Sequence, residues 1–110
     1  EGGAIQGIGY TLYEQYRHDD GTGIPVNTDL YKSKPPSIHD YVAGDLHVGA
    51  VGEPDPFGPY GAKGVGEPPY GAASGAVAAA VKDALGTTFN EFPVTPDKVL
   101  EKVRAGEVDI

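Results

Sequence analysis

Gly61-Ala62-Lys63-Gly64-Val65-Gly66-Glu67-Pro68-Pro69 is the stretch from which the rest of the chain is read. Three glycines in its first six residues deny it a regular element, whereas two consecutive prolines suit the first turn of a helix, where no backbone N–H is needed. An alanine-rich run follows to Leu85 and stops at Gly86, so a helix is predicted over about 69–85. Ala73, Val77, Ala80, Val81 and Ala84 form its expected apolar stripe, small enough to admit a neighbouring backbone. Glu67 stands between an open glycine run and the positive end of that helix dipole. Two readings follow. A carboxylate aimed by the prolines beside open space is what a general base requires. The same carboxylate also suits a plain helix cap. Spacing alone leaves both open.

Upstream, a loop spans 52–68, with five Gly and four Pro in 17 residues. Phe57, Tyr60, Lys63 and Glu67 occupy single, unrepeated positions in it, the profile of a shaped loop rather than a linker. Near the start, Ile5, Ile8, Leu12 and Tyr16 fall at helical spacing and predict a helix over about 4–17. Gly2, Gly3, Gly7 and Gly9 crowd its first turns, each costing about 1 kcal/mol against alanine inside a helix. Such a helix must pack against something that needs its bare backbone. Residues 18–51 form a strand and loop region: a turn over His18–Gly23 with a short strand after it, then extended chain broken by Pro35-Pro36. Within it Ala43–Ala50 alternates, Leu46, Val48 and Ala50 on one face against Asp45, His47 and Gly49 on the other, predicting a half-buried strand. Thr95-Pro96-Asp97 opens a last helix over about 96–104, with Val99, Leu100 and Val103 as its buried edge.

The composition narrows the function classes. Eight Lys+Arg against 16 Asp+Glu give a charge of −8 over 110 residues, which argues against a nucleic-acid or anionic-membrane surface. No stretch approaches the roughly 18 apolar residues of a membrane span, and no signal segment opens the chain, so a cytoplasmic location is expected. With no cysteine there is no disulfide, zinc–thiolate site, iron–sulfur ligation or thiol nucleophile. Gly and Pro together make 27 residues, and Leu, Ile, Val and Phe only 24, so a self-sufficient globule with a deep core is not expected. The chain has no methionine and opens at Glu1 inside a helix-opening motif, and reads as a segment of a longer polypeptide.

Familiar cofactor patterns fail on inspection. Gly64-Val65-Gly66 meets Pro69 where the dinucleotide fingerprint needs its third glycine, and Lys63 lacks both neighbours that the triphosphate loop requires. His18, His39 and His47 lie near Asp20, Asp40 and Asp45 but form no i,i+4 pair, so solvated histidines and no metal site are expected. Tyr10, Tyr13 and Tyr16 read as core and interface.

Three ordered motifs carry a resemblance: Glu1-Gly2-Gly3-Ala4-Ile5-Gln6-Gly7-Ile8-Gly9, the Gly61–Pro69 loop, and Phe92-Pro93-Val94-Thr95-Pro96-Asp97-Lys98-Val99-Leu100. Together they resemble the C-terminal part of the molybdopterin-binding large subunit of the molybdenum hydroxylases, the xanthine dehydrogenase and aldehyde oxidase family. The lysine–glycine–glutamate–proline loop is the specific motif and the other two support it. The resemblance implies an α+β segment over residues 1–110, loop-rich, with helices packed on a mixed sheet. It implies that Glu67 is the catalytic base, which activates a molybdenum-bound hydroxide for attack on an electron-poor carbon with hydride transfer to the molybdenum centre. It implies that Gln6 contacts the molybdopterin cofactor and that Gly7 allows its close approach. Other cofactor-contacting loops of the family are absent from this chain. The implied partners are therefore the remainder of the molybdopterin subunit, iron–sulfur (2Fe-2S) and FAD subunits or domains, and a small-molecule substrate. The alternative is a non-catalytic assembly segment that keeps the fold for subunit packing.

Overall fold

The computed structural model describes residues 1–41 and 46–108. Among these, helices form at α1 (Gly2–Leu12), α2 (Leu30–Ser33), α3 (Pro68–Leu85) and α4 (Pro96–Arg104), with one 3₁₀ turn at Pro59–Gly61. The two punctuated helices lie where the sequence places them. Pro68-Pro69 opens α3 and Gly86 closes it in the left-handed conformation (φ 67°), its N–H donating to the Lys82 carbonyl. Pro96 opens α4 behind Thr95, and Asp97 and Lys102/Arg104 match the ends of its dipole. Val99 and Val103 are half-buried as expected, but Leu100 turns outward.

The first helix packs against α3 through its glycines. A Cβ placed on Gly7 would lie 2.6 Å from the Tyr70 carbonyl oxygen and 2.7 Å from the Ala73 Cβ, and one on Gly3 would lie 3.2 Å from the Pro69 Cβ. Residues 3 and 7 share a helix face, so the missing side chains are what bring the two backbones together. Two hydroxyls seal the seam. Thr11 Oγ1 donates to the Gly7 carbonyl at 2.7 Å, and the buried Ser74 hydroxyl lies 3.1 Å from the Tyr70 carbonyl and 3.4 Å from that of Gly7. The stripe of α3 is accordingly rotated from the expected one. Tyr70, Ala73, Ser74, Val77, Val81 and Leu85 turn inward, while Ala80 and Ala84 are exposed. The Val94 N–H donates to the Thr11 carbonyl at 2.7 Å, tying the segment before α4 to the end of α1. Tyr10 sits edge-on to Tyr70 and Phe92 at 5.5 and 5.9 Å.

Three expectations are corrected. The first helix ends at Leu12, not near residue 17, because the N–H groups of Tyr13 and Glu14 both turn onto the Gly9 carbonyl. Beyond that point the Asn27 side chain takes over the backbone, accepting from the Arg17 N–H at 2.8 Å and donating to the Gln15 carbonyl. No strand forms among the described residues, so the mixed sheet does not appear. The only β pairing there is an isolated antiparallel bridge between His18 and Pro25. Leu46–Ala50 is irregular and Val48 is 58 % exposed, while Ala43–Asp45 of the expected strand lie outside the described residues. A half-buried strand needs both a pairing neighbour and a covered face, and this segment has neither. Finally, the stretch read as extended contains α2, a single turn capped by Asp29, whose carboxylate accepts from the Lys32 N–H at 2.8 Å.

Candidate active site

The packing of α1 on α3 brings Gln6 and Glu67 together. Gln6 Nε2 donates to Glu67 Oε1 at 2.9 Å, across 61 residues of sequence. Glu67 occupies the N-cap position of α3, yet its side chain makes no capping hydrogen bond. The prolines explain why. An N-cap carboxylate ordinarily accepts from the second or third helical N–H. Pro68 and Pro69 have none, and the N–H of Tyr70 donates to the Glu67 backbone carbonyl at 2.9 Å. The carboxylate is thus left exposed, held by an amide from another helix.

The loop before it is ordered by Asp55, whose carboxylate accepts from the N–H groups of Phe57 and Gly58 at 2.7 and 2.8 Å. The Asp55 N–H in turn donates to the Gly61 carbonyl at 3.1 Å. Within 52–68, where no regular element was expected, Pro59–Gly61 makes one 3₁₀ turn, with Tyr60 at φ 55°. An open cavity of about 990 Å³ runs along the inner side of this loop, lined by Gly3, Val51, Lys63, Gly64, Gly66 and Pro69 among others. Gly66 and Pro69, on either side of Glu67 in the sequence, line this space, whereas Glu67 and Gln6 do not. A Cβ on Gly2, Gly64 or Gly66 would meet nothing within 4 Å, which leaves their backbone open to an approaching group. Behind the carboxylate, burial pushes the Tyr70 phenol above its ordinary value, and the neighbouring Tyr10, Glu14 and Glu67 add to the shift.

Gly7 lies next to Gln6 in sequence but faces α3. Its bare backbone serves the helix contact that sets the position of Gln6. His18, His39 and His47 are exposed, and among the described residues no three His, Asp or Glu side chains gather into a metal-holding group. The sequence reading missed Asp55, although Asp55-Pro56-Phe57-Gly58 has the composition of an aspartate-capped turn. It also missed Thr11 and Ser74, whose small hydroxyls are satisfied by their own helix carbonyls one turn back.

No protein-family profile matches the chain. Individual proteins do. The chain is 35 % identical over 103 residues to the 6-hydroxypseudooxynicotine dehydrogenase complex subunit gamma of Paenarthrobacter nicotinovorans, covering 92 % of this chain and 13 % of that protein. It is 35 % identical over 101 residues to a putative xanthine dehydrogenase molybdenum-binding subunit of Escherichia coli, covering 92 % and 13 %. It is 36 % identical over 104 residues to the aldehyde oxidoreductase of Megalodesulfovibrio gigas, covering 94 % and 11 %. Nine-tenths of the chain is thus homologous to the C-terminal part of the molybdenum-binding large subunits of the xanthine dehydrogenase and aldehyde oxidoreductase family. The chain spans about an eighth of the length of these relatives. Among the described residues no helix is long and apolar enough to cross a membrane.

Proposed function

We infer that the chain is part of the catalytic subunit of a molybdenum-dependent hydroxylase or dehydrogenase, with Glu67 as its general base. One observation carries this reading: the Glu67 carboxylate, freed from capping by the two prolines, is exposed and held by Gln6 at 2.9 Å, directly after Gly66 in the wall of an open cavity. A structural cap would engage the N–H groups of its own helix instead. With Oε1 accepting from Gln6, Oε2 remains to take a proton from a reacting group.

The residues fit a cofactor held by hydrogen bonds rather than by metal ligation from this chain. Gln6 is exposed, and its carbonyl and second N–H have no partner among the described residues. The open backbone at Gly2, Gly64 and Gly66 admits a bulky neighbour. A molybdopterin cofactor, when bound, supplies the two-electron acceptor for oxidising an electron-poor carbon. Gln6 would contact that cofactor, and Gly7 would act by seating α1 so that Gln6 can reach it. A 2Fe-2S centre carrying the electrons onward would lie on a partner chain or domain, since this chain has no cysteine to ligate it, and the FAD that the resemblance implies would lie beyond it.

The test is Glu67→Gln in the complete, cofactor-loaded enzyme. The amide keeps the size of the side chain but cannot serve as the base, so turnover should fall by about 10² to 10⁴. Molybdenum content and thermal stability should persist. Turnover within a few-fold of the parent at full molybdenum content would leave the chain as a non-catalytic assembly segment.

A further inference from the structure

We propose that Gln6 is a positioning residue for Glu67, fixing where the carboxylate points independently of any contact that Gln6 makes to a cofactor. The proposal rests on the reading of Glu67 as the base and adds a second role to Gln6. Three features carry it. The Gln6–Glu67 bond at 2.9 Å is the sole side-chain hydrogen bond of Glu67 among the described residues. The helix that Glu67 precedes offers its carboxylate no competing donor, for the proline reasons given above. The position of Gln6 is itself fixed, because Gly3 and Gly7 on either side of it are seated against Pro69 and against Tyr70, Ala73 and Ser74.

The arrangement combines two effects that one residue could not supply. Pro68-Pro69 removes the local N–H groups that would draw the carboxylate onto the helix end. Gln6 then replaces them with one neutral donor on a different helix. A neutral amide orients the carboxylate without cancelling its charge, as a lysine at the same place would. Only one N–H of the amide is used, so its other N–H and its carbonyl are still available to a ligand. One side chain can thereby set the distance between base and cofactor.

A double-mutant cycle in the complete holoenzyme tests this, with turnover expressed per bound molybdenum. Gln6→Met keeps the length and removes the donor. It should lower kcat by about tenfold to 10²-fold, the scale of a misplaced reacting group, with KM little changed. In the Glu67→Gln background the same substitution should cost less than about twofold, because a base that is gone cannot be misaimed. Equal losses in both backgrounds would overturn the proposal and make Gln6 a cofactor contact alone. So would loss of molybdenum from Gln6→Met with parental turnover per remaining molybdenum. A crystal structure of the Gln6→Met enzyme gives a readout that does not depend on activity. The Glu67 carboxylate should be displaced or split between rotamers, and a carboxylate in its parent position overturns the proposal. If Glu67→Gln itself retains turnover, the base reading fails, and this structural arm still decides whether Gln6 positions the carboxylate.

Discussion

The α1–α3 seam and the long segment between α1 and α3 are built on opposite terms. The seam is a fitted contact: side chains are removed at Gly3 and Gly7, and the buried hydroxyls of Thr11 and Ser74 find carbonyl partners. The segment is ordered by its backbone instead. Asp19, Asp29, Asp40 and Asp55 each accept from nearby main-chain N–H groups and shape a turn. Its large apolar side chains meanwhile face outward, with Leu30 78 %, Tyr31 88 %, Ile38 77 % and Phe57 96 % exposed. Polar staples can fix a shape, but they do not supply the burial that stabilises one. The seam is therefore the cohesive part, and the segment leaves its large apolar side chains exposed.

The largest effect that follows concerns the chain by itself. Pro93 and Val94 are the only buried apolar side chains among the described residues, and the radius of gyration is 17.9 Å, against about 13 Å for a compact domain of this length. One helix pair without a core does not sustain a two-state fold. The isolated 110-residue chain should show no cooperative thermal transition by circular dichroism. A sharp, reversible transition would mean that the outward apolar residues are not needed for stability, and the contrast drawn above would break.

A smaller effect separates the seam from its surroundings. Gly7→Ala and Gly75→Ala both gain the helix propensity of alanine, so that contribution cancels between them. At Gly7 the added Cβ meets the Tyr70 carbonyl at 2.6 Å, whereas at Gly75 nothing lies within 4 Å. Gly7→Ala in the complete subunit should be less stable than Gly75→Ala by about 1 to 3 kcal/mol, the usual cost of overpacking. Denaturant midpoints measure it. Turnover should fall with Gly7→Ala alone, since separating the helices also separates Gln6 from Glu67. Equal stabilities would show that the seam tolerates slack.

How much of this was legible follows from the range over which each signal acts. Local punctuation was readable: Pro68-Pro69, Gly86 and Thr95-Pro96 mark helix ends through backbone chemistry within a residue or two, and those ends lie where expected. The glycines of the first helix correctly required a close neighbour. Apolar periodicity was less reliable. Tyr13 and Tyr16 continue the spacing of Ile5, Ile8 and Leu12, but Asn27, a dozen residues on from Gln15, competes for the same backbone and ends the pattern. The rotated face of α3 was hidden because Ser74 reads as a surface residue until its hydroxyl is seen on a carbonyl. Gln6 and Glu67 were each singled out through the resemblance. Their hydrogen bond spans 61 residues and depends on how two helices pack, which spacing does not encode.

The smallest effect tests the polar staples directly. The Asp40 carboxylate accepts from the Ser37 N–H at 2.7 Å, from the Ser37 hydroxyl at 2.8 Å and from the Tyr13 hydroxyl at 3.3 Å. The Ser37 backbone bond is the main cause that holds its pKa below the ordinary value, with the Ser37 hydroxyl next. A carboxyl group lowered in the folded state stabilises above its unfolded pKa of about 4 and loses that contribution as pH falls through the folded value. The turn at Ser37–Asp40 should therefore loosen on acidification below about pH 4, while the Gly7 contact of the α1–α3 seam, made to the Tyr70 carbonyl, the Ala73 methyl and the Ser74 backbone, should respond less in that range. Hydrogen exchange of peptides covering 37–41 and 3–11 in the complete subunit, corrected for intrinsic rates, measures both. Asp40→Asn should abolish the acid response of the first peptide and leave the second unchanged. Tyr13 should report the same staple from the alkaline side. Burial raises its phenol most, and the Asp40 charge and hydrogen bond add to that, so Asp40→Asn should lower its ionisation range only in part. Parallel loosening of both peptides would mean that the turn and the seam unfold as one unit, and the distinction between stapled and fitted regions would not hold.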